Sequence, residues 1–287
     1  MVEFNNREIA TAFWLAVFLL FTLKKKRTRE SISRLFKSFV TPKILVPFIA
    51  YAGYVSLVLI CLQKIGYWST DLIKDTIYWF LFAGIIILGK SAANPAAKNL
   101  WKQALKDHFR VIVILTFLIN LYTFSLSIEF IIVPLSFIIV MTGAVAELKP
   151  EHADVAGIIH KIQAIFGWFI LGVAVFKAIN DLQFLASIET LNQFFLPIIL
   201  TVVALPFIYL TSIYAIYDNL WVWTRFKQPK ERSRYMRKEI LKYGLLSLSR
   251  VRKLSKIKPY EIWQVRSETD FDDLLNRYRH SQSEFET

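Results

Sequence analysis

Cysteine is almost absent. Cys61 is the single one in 287 residues, so an intrachain disulfide, a CxxC site or a thiolate cluster is excluded. It lies inside an apolar run, where a buried, inert thiol is expected. Catalytic signatures are missing as well. No HExxH, GxSxG, GxGxxG or P-loop pattern occurs, which removes the common hydrolase, dinucleotide and NTPase signatures and turns the reading away from an enzyme. The four histidines, His108, His152, His160 and His280, are not placed to face one another within a membrane, as haem ligation between helices requires. Glu147, Glu151, His152, Asp154 and His160 form the one acidic, imidazole-rich patch. It reads as a solvated helix start rather than a metal site, and no cofactor is expected.

What is abundant is apolar surface. Hydrophobic residues make up 55% of the chain, more than an ordinary soluble domain carries, and they come in blocks separated by basic segments. Blocks of about 20 residues match a hydrocarbon core about 30 Å thick, where the backbone must satisfy itself as helix. The expected fold is an all-α polytopic bundle with seven spans, near 6–23, 44–63, 72–89, 107–125, 128–146, 162–179 and 194–217. Residues 111–146 are the least settled: Ser125-Leu-Ser-Ile-Glu129 reads as a tight turn between two crossings, with a re-entrant hairpin as the alternative. Ile9–Leu23 is not a signal peptide by its flanks, since Lys24, Lys25, Lys26 and Arg27 follow the run instead of preceding it.

Charge sets the expected orientation. Segments 24–43, 90–110, 147–161 and 224–287 hold 31 of the 35 Lys and Arg residues; Arg7, Lys64, Lys74 and Lys177 fall on the other side. The positive-inside rule then gives an outer N-terminus and a cytoplasmic C-terminus. Trp68 and Trp79 at the outer side, and Trp101, Trp221 and Trp223 at inner ends, read as interfacial anchors.

Ionisable groups in the spans are scarce. Glu129 sits at the outer turn and becomes a candidate ion ligand if the hairpin is re-entrant. Lys177 and Asp181, four apart, are placed to pair on one helix face. Asn120, Ser125, Ser136, Thr142, Thr201 and Thr211 read as helix–helix hydrogen-bonding groups. Glu129, Asn120, Lys177 and Asp181 are therefore the candidate permeation or polar-contact residues. Pro47, Pro134, Pro197 and Pro206 lie within spans and each removes a backbone hydrogen bond.

Two basic segments complete the pattern. Residues 28–40 place Ile32, Leu35, Phe36, Phe39 and Val40 on one helix face with Arg29, Arg34 and Lys37 between them, an amphipathic helix for the membrane interface. Residues 224–260 hold 13 cations against Glu231 and Glu239, with Met236, Ile240, Leu241, Leu245, Leu248 and Leu254 as an apolar stripe; residues 261–287 reverse the sign. Residues 1–223 thus read as the membrane domain and 224–287 as a cytoplasmic tail, basic then acidic, whose acidic end folds back on the basic helix in one reading. Lys24, Lys25, Lys26, Arg27, Arg34, Arg232, Arg234, Arg237, Lys238, Arg250, Arg252 and Lys253 are the cations expected to meet anionic lipid or a cytosolic protein. Basic charge without a recognition motif is a weak sign of nucleic acid, which is not expected as a partner. The sequence points to a component of a bacterial inner membrane that works through a cytosolic partner or its own oligomer. A channel or passive transporter is the alternative.

Overall fold

The computed structural model describes residues 4–96, 111–148, 153–226 and 228–280, which are helical and contain no strand. The chain opens with α1 (Asn6–Leu23), capped by Asn5: its side chain accepts from the Glu8 N–H, and Glu8 returns the bond to the Asn5 N–H, both at 2.8 Å. A corner at Lys24 and Lys25 leads into α2 (Lys26–Phe39). None of its residues is buried; Ile32, Leu35, Phe36, Phe39 and Val40 stay bare beside the exposed Arg34. Pro42 opens α3 (Pro42–Lys64). That helix ends at Gly66, whose φ of +82° lets the Gly66 and Tyr67 N–H groups turn back onto the Gln63 and Leu62 carbonyls.

The next helix, α4 (Thr70–Ala93), contains a π-helical turn at Phe80–Gly84. Then come α5 (Val111–Leu121), α6 (Leu126–Glu147), α7 (Ala153–Asn180), the single turn α8 (Leu182–Leu185) and α9 (Ile188–Arg225). Four further helices follow: α10 (Lys230–Gly244), α11 (Leu248–Leu254), α12 (Pro259–Gln264) and α13 (Glu268–His280). Six of these, α1, α3, α4, α6, α7 and α9, are long and apolar enough to cross a membrane, which fits an integral multi-pass protein. The expected fourth span coincides with α5 over 11 residues; its start at 107–110 lies outside the described residues. The turn between the fourth and fifth spans comes earlier than expected, with α5 ending at Leu121 and Ser125 standing before α6. Glu129 therefore lies inside α6, not in the turn.

The chain forms two compact units. Met1–Ile49, Leu59–Thr76 and Lys106–Ile198 make the first; Ala50–Val58, Ile77–Leu105 and Ile199–Thr287 make the second. In the first, α6 packs against both α1 and α7. Gly143 permits the second of these contacts, because a Cβ there would meet Gln163 Nε2 at 2.7 Å. The same Gln163 amide donates to the Ile139 carbonyl at 3.3 Å. Trp14 ties α1 to α6 by donating its indole N–H to the Phe130 carbonyl at 3.0 Å. That carbonyl lies four residues before Pro134, which has no N–H to offer it.

The second unit is built on α9, which enters it at Ile199. At 1.5 Å per residue its 38 residues extend about 57 Å, far more than a hydrocarbon core about 30 Å thick requires. The excess is buried in protein. Ile213, Ile216, Tyr217 and Leu220 of α9 form one core with Met236, Ile240, Leu248, Val251, Leu254, Ile257, Ile262, Val265, Phe271, Leu274 and Leu275. The C-terminal helices are thus a folded module with an apolar interior. Of the expected stripe, Met236, Ile240, Leu248 and Leu254 are buried, while Leu241 and Leu245 remain exposed.

Candidate functional site

Polar groups gather in three places. The first lies in the first unit, around the carbonyl groups that α5 leaves open at its C-terminal end. Arg7 Nη1 donates to the Ile119 carbonyl at 2.7 Å, Asn5 Nδ2 to the Asn120 carbonyl at 3.2 Å, and Lys177 Nζ to the Thr123 carbonyl at 2.6 Å. Asn6 takes the Phe124 carbonyl at 2.9 Å. Two of these donors are cations, which suits the negative end of a helix dipole. Arg7 also grips Glu129 with both arms, Nε to Oε2 at 3.1 Å and Nη2 to Oε1 at 2.9 Å. Glu129 is completely buried and accepts the Phe124 N–H as well. Nearby on the chain, Glu8 pairs with Lys74 at 3.3 Å.

Both carboxylate oxygens of Glu129 thus have protein donors, which tie the start of α6 to α1 and to the α5–α6 turn. Asn120 contributes a backbone carbonyl. Lys177 does not pair with Asp181: α7 ends at Asn180, and Asp181 leaves the helical backbone at φ −130° and ψ 48°, which breaks the register an i,i+4 pair needs. The Asp181 carbonyl instead receives the Tyr122 hydroxyl at 3.4 Å.

The second place is inside the second unit. Tyr51 is fully buried, stacks on Phe80 at 5.5 Å and finds no hydrogen-bond partner for its hydroxyl. It approaches the π-helical turn so closely that a Cβ on Gly84 would meet the hydroxyl at 3.0 Å. Beside it, Trp79 donates its indole N–H to Thr201 Oγ1 at 2.9 Å. Trp79 is 4% exposed, so it is an interior residue and not the interfacial anchor expected. Cys61, by contrast, is exposed on the apolar α3 instead of buried, since burial in lipid needs no protein cover. The hydroxyls of Ser136, Thr142 and Thr211 bond to carbonyls four residues back in their own helices, not to neighbouring helices.

The third place is the surface of the C-terminal module, where the expected cations divide. Arg232 Nη1 donates to Gln228 Oε1 at 3.1 Å and to the Val265 carbonyl at 3.3 Å. Arg237 caps the end of α9 through Thr224 Oγ1 at 3.2 Å and the Trp221 carbonyl at 3.3 Å, and its burial lowers its pKa. Lys253 reaches the Arg279 carbonyl at 3.2 Å, and Arg252 is half-buried. These side chains hold the module together. Arg234, Lys238 and Arg250 are exposed, as are Lys24 and Lys25 before α2 and Lys26 and Arg27 at its start.

The acidic end does fold back, with α13 packed on α10 and α11. Apolar contacts through Phe271, Leu274 and Leu275 drive it, rather than pairing of opposite charge runs. Its polar contacts include Tyr235 to Asp272 at 2.8 Å, which pushes the tyrosine pKa up to about 12, Lys253 to the Arg279 carbonyl, and Arg279 to Glu239 at 4.0 Å.

His160 Nε2 lies 2.8 Å from Glu147 Oε1 with both side chains half exposed. Among the described residues no group of three or more His, Cys, Asp or Glu side chains is placed to hold a metal. Trp101, His108, Glu151 and His152 lie outside the described residues. Comparison with protein families, curated proteins and solved structures found no match to this chain.

Proposed function

We propose that the protein is a component of a bacterial inner membrane that transmits binding at its C-terminal module to its membrane-spanning helices, acting as a scaffold, sensor or membrane effector. The observation that carries this reading is the shared core. One unbroken helix, α9, supplies both an apolar stretch long enough to span a bilayer and the wall against which α10 to α13 fold. A partner gripping the module therefore acts on a spanning helix with no loose linker between. Seven spans, an outer N-terminus and a cytoplasmic module remain the topology that the cation distribution favours. The meeting of the α1 start, the α5 end and the α6 start at one polar cluster supports counting α5 as a crossing. The bare apolar face of α2 beside exposed cations supports its place in the interface of an anionic leaflet.

The exposed Arg234, Lys238 and Arg250 are the face offered to an acidic cytosolic protein, and a second copy of the chain is the other partner considered. Site-specific photo-crosslinking at Lys238 in living cells tests this. A discrete protein adduct that disappears on Arg234→Glu with Arg250→Glu is expected; adducts unchanged by the charge reversal contradict it.

A passive permeation pathway is the second reading, favoured by the buried Tyr51 hydroxyl beside the π-helical turn, since such turns often occur at functional sites. Solute flux through reconstituted protein that changes with Tyr51→Phe supports it. Glu129→Ala is a poor probe of flux, because it breaks the ties from α6 to α1 and to the α5–α6 turn.

A further inference from the structure

We infer that the turn between α10 and α11, led by Leu245 and Leu246, is seated in the bilayer beside the point where α9 leaves it. Leu245 and Leu246 are 60% and 69% exposed. Leu245 holds a φ of +44°, a backbone region that favours glycine and that a leucine adopts only when its surroundings enforce it. Here the enforcement comes from α9. Tyr217 donates its hydroxyl to the Leu245 carbonyl at 2.8 Å; Tyr209 donates to the Leu246 carbonyl at 2.7 Å and accepts the Leu248 N–H at 3.0 Å. Gly244 lets the turn close, since a Cβ there would run into the Tyr217 hydroxyl and come within 2.8 Å of Val251 Cγ2.

The height of this turn follows from α9. Tyr209 stands 21 residues beyond Ile188, about 32 Å along the helix, which is the thickness of a hydrocarbon core. If the apolar stretch begins at Phe194 instead, the core ends near Tyr214 and the turn lies deeper still. Side chains on a helix lean towards its N-terminus, so the Tyr217 hydroxyl also reaches back towards the span. Leu210 and Tyr214, 49% and 54% exposed on α9, mark the same level. Exposed leucines at that height meet acyl chains, and the exposed Lys242 just before the turn is offered to headgroup phosphates. The partner is thus the chain's own leaflet. The inference rests on α9 crossing the membrane and holds whichever side the module occupies, so it stands apart from the partner protein proposed above.

Full-length protein in liposomes containing anionic lipid provides the test. In a Cys61→Ser background, Leu246→Cys and, separately, Asn276→Cys are labelled with an environment-sensitive fluorophore. Nitroxide-bearing lipid is expected to quench the probe at position 246 several-fold more than the probe at 276, and aqueous iodide the reverse. Tyr209→Phe, which removes the hydroxyl anchor, is expected to bring the quenching at 246 towards that at 276. Equal iodide quenching at both positions overturns the inference. So does protection of position 246 from both quenchers, because protein would then cover the turn.

Discussion

Glu129 shows what a carboxylate needs in an apolar bundle. It has no exposed surface, and Arg7 and the Phe124 N–H occupy its oxygens. Breaking such a pair leaves an uncompensated charge, at a cost of about 3–5 kcal/mol, whereas replacing both partners with apolar residues is often close to neutral. Arg7→Ala or Glu129→Ala should therefore lower the unfolding temperature in detergent sharply, while Arg7→Met with Glu129→Met should recover most of the loss. Equal, additive losses would mean that the pair is incidental. Trp14 invites a similar cycle. It supplies a donor to the Phe130 carbonyl that Pro134 cannot, so Trp14→Phe should cost about 1–3 kcal/mol for the orphaned carbonyl. In a Pro134→Ala background, where the backbone N–H returns, thermal melts should show a clearly smaller penalty.

Among the elements, α9 carries most consequence. A chain ending at Trp223 looks like a clean removal of a tail in the sequence, but the structure makes it a cut through a core. Ile213, Ile216, Tyr217 and Leu220 would lose their cover, each apolar side chain exposing about 1.5–3 kcal/mol of burial. Such a truncation should aggregate or self-associate on size-exclusion chromatography, and a monodisperse product would contradict the shared core.

The sequence read the helices well because their signal is local: runs of apolar residues, the cation cluster after α1 and the stripe through Met236 and Ile240 all lie within one segment. It read the partners poorly because they are distant in the chain. Arg7 and Glu129 are separated by 122 positions, and only their shared assignment to one membrane side hinted that they meet. The role of α13 was half legible: its folding back was foreseen on charge, but Phe271, Leu274 and Leu275 do the packing. Nothing local distinguishes Arg237 from Arg234, one capping α9 and the other exposed.

For the whole molecule, six helices among the described residues have the length and composition to cross a membrane, and the first unit holds the ion pairs Arg7–Glu129 and Lys74–Glu8. The second unit places its exposed cations on a module folded onto the end of a spanning helix. A handle of this kind serves a cytosolic partner only if it faces the cytosol. Labelling with a membrane-impermeant maleimide at Asn276→Cys, in a Cys61→Ser background, decides the point. Asn276 is exposed on α13, so reaction is expected in inverted membrane vesicles and not in intact spheroplasts; labelling of the spheroplasts alone would place the module outside and contradict the account.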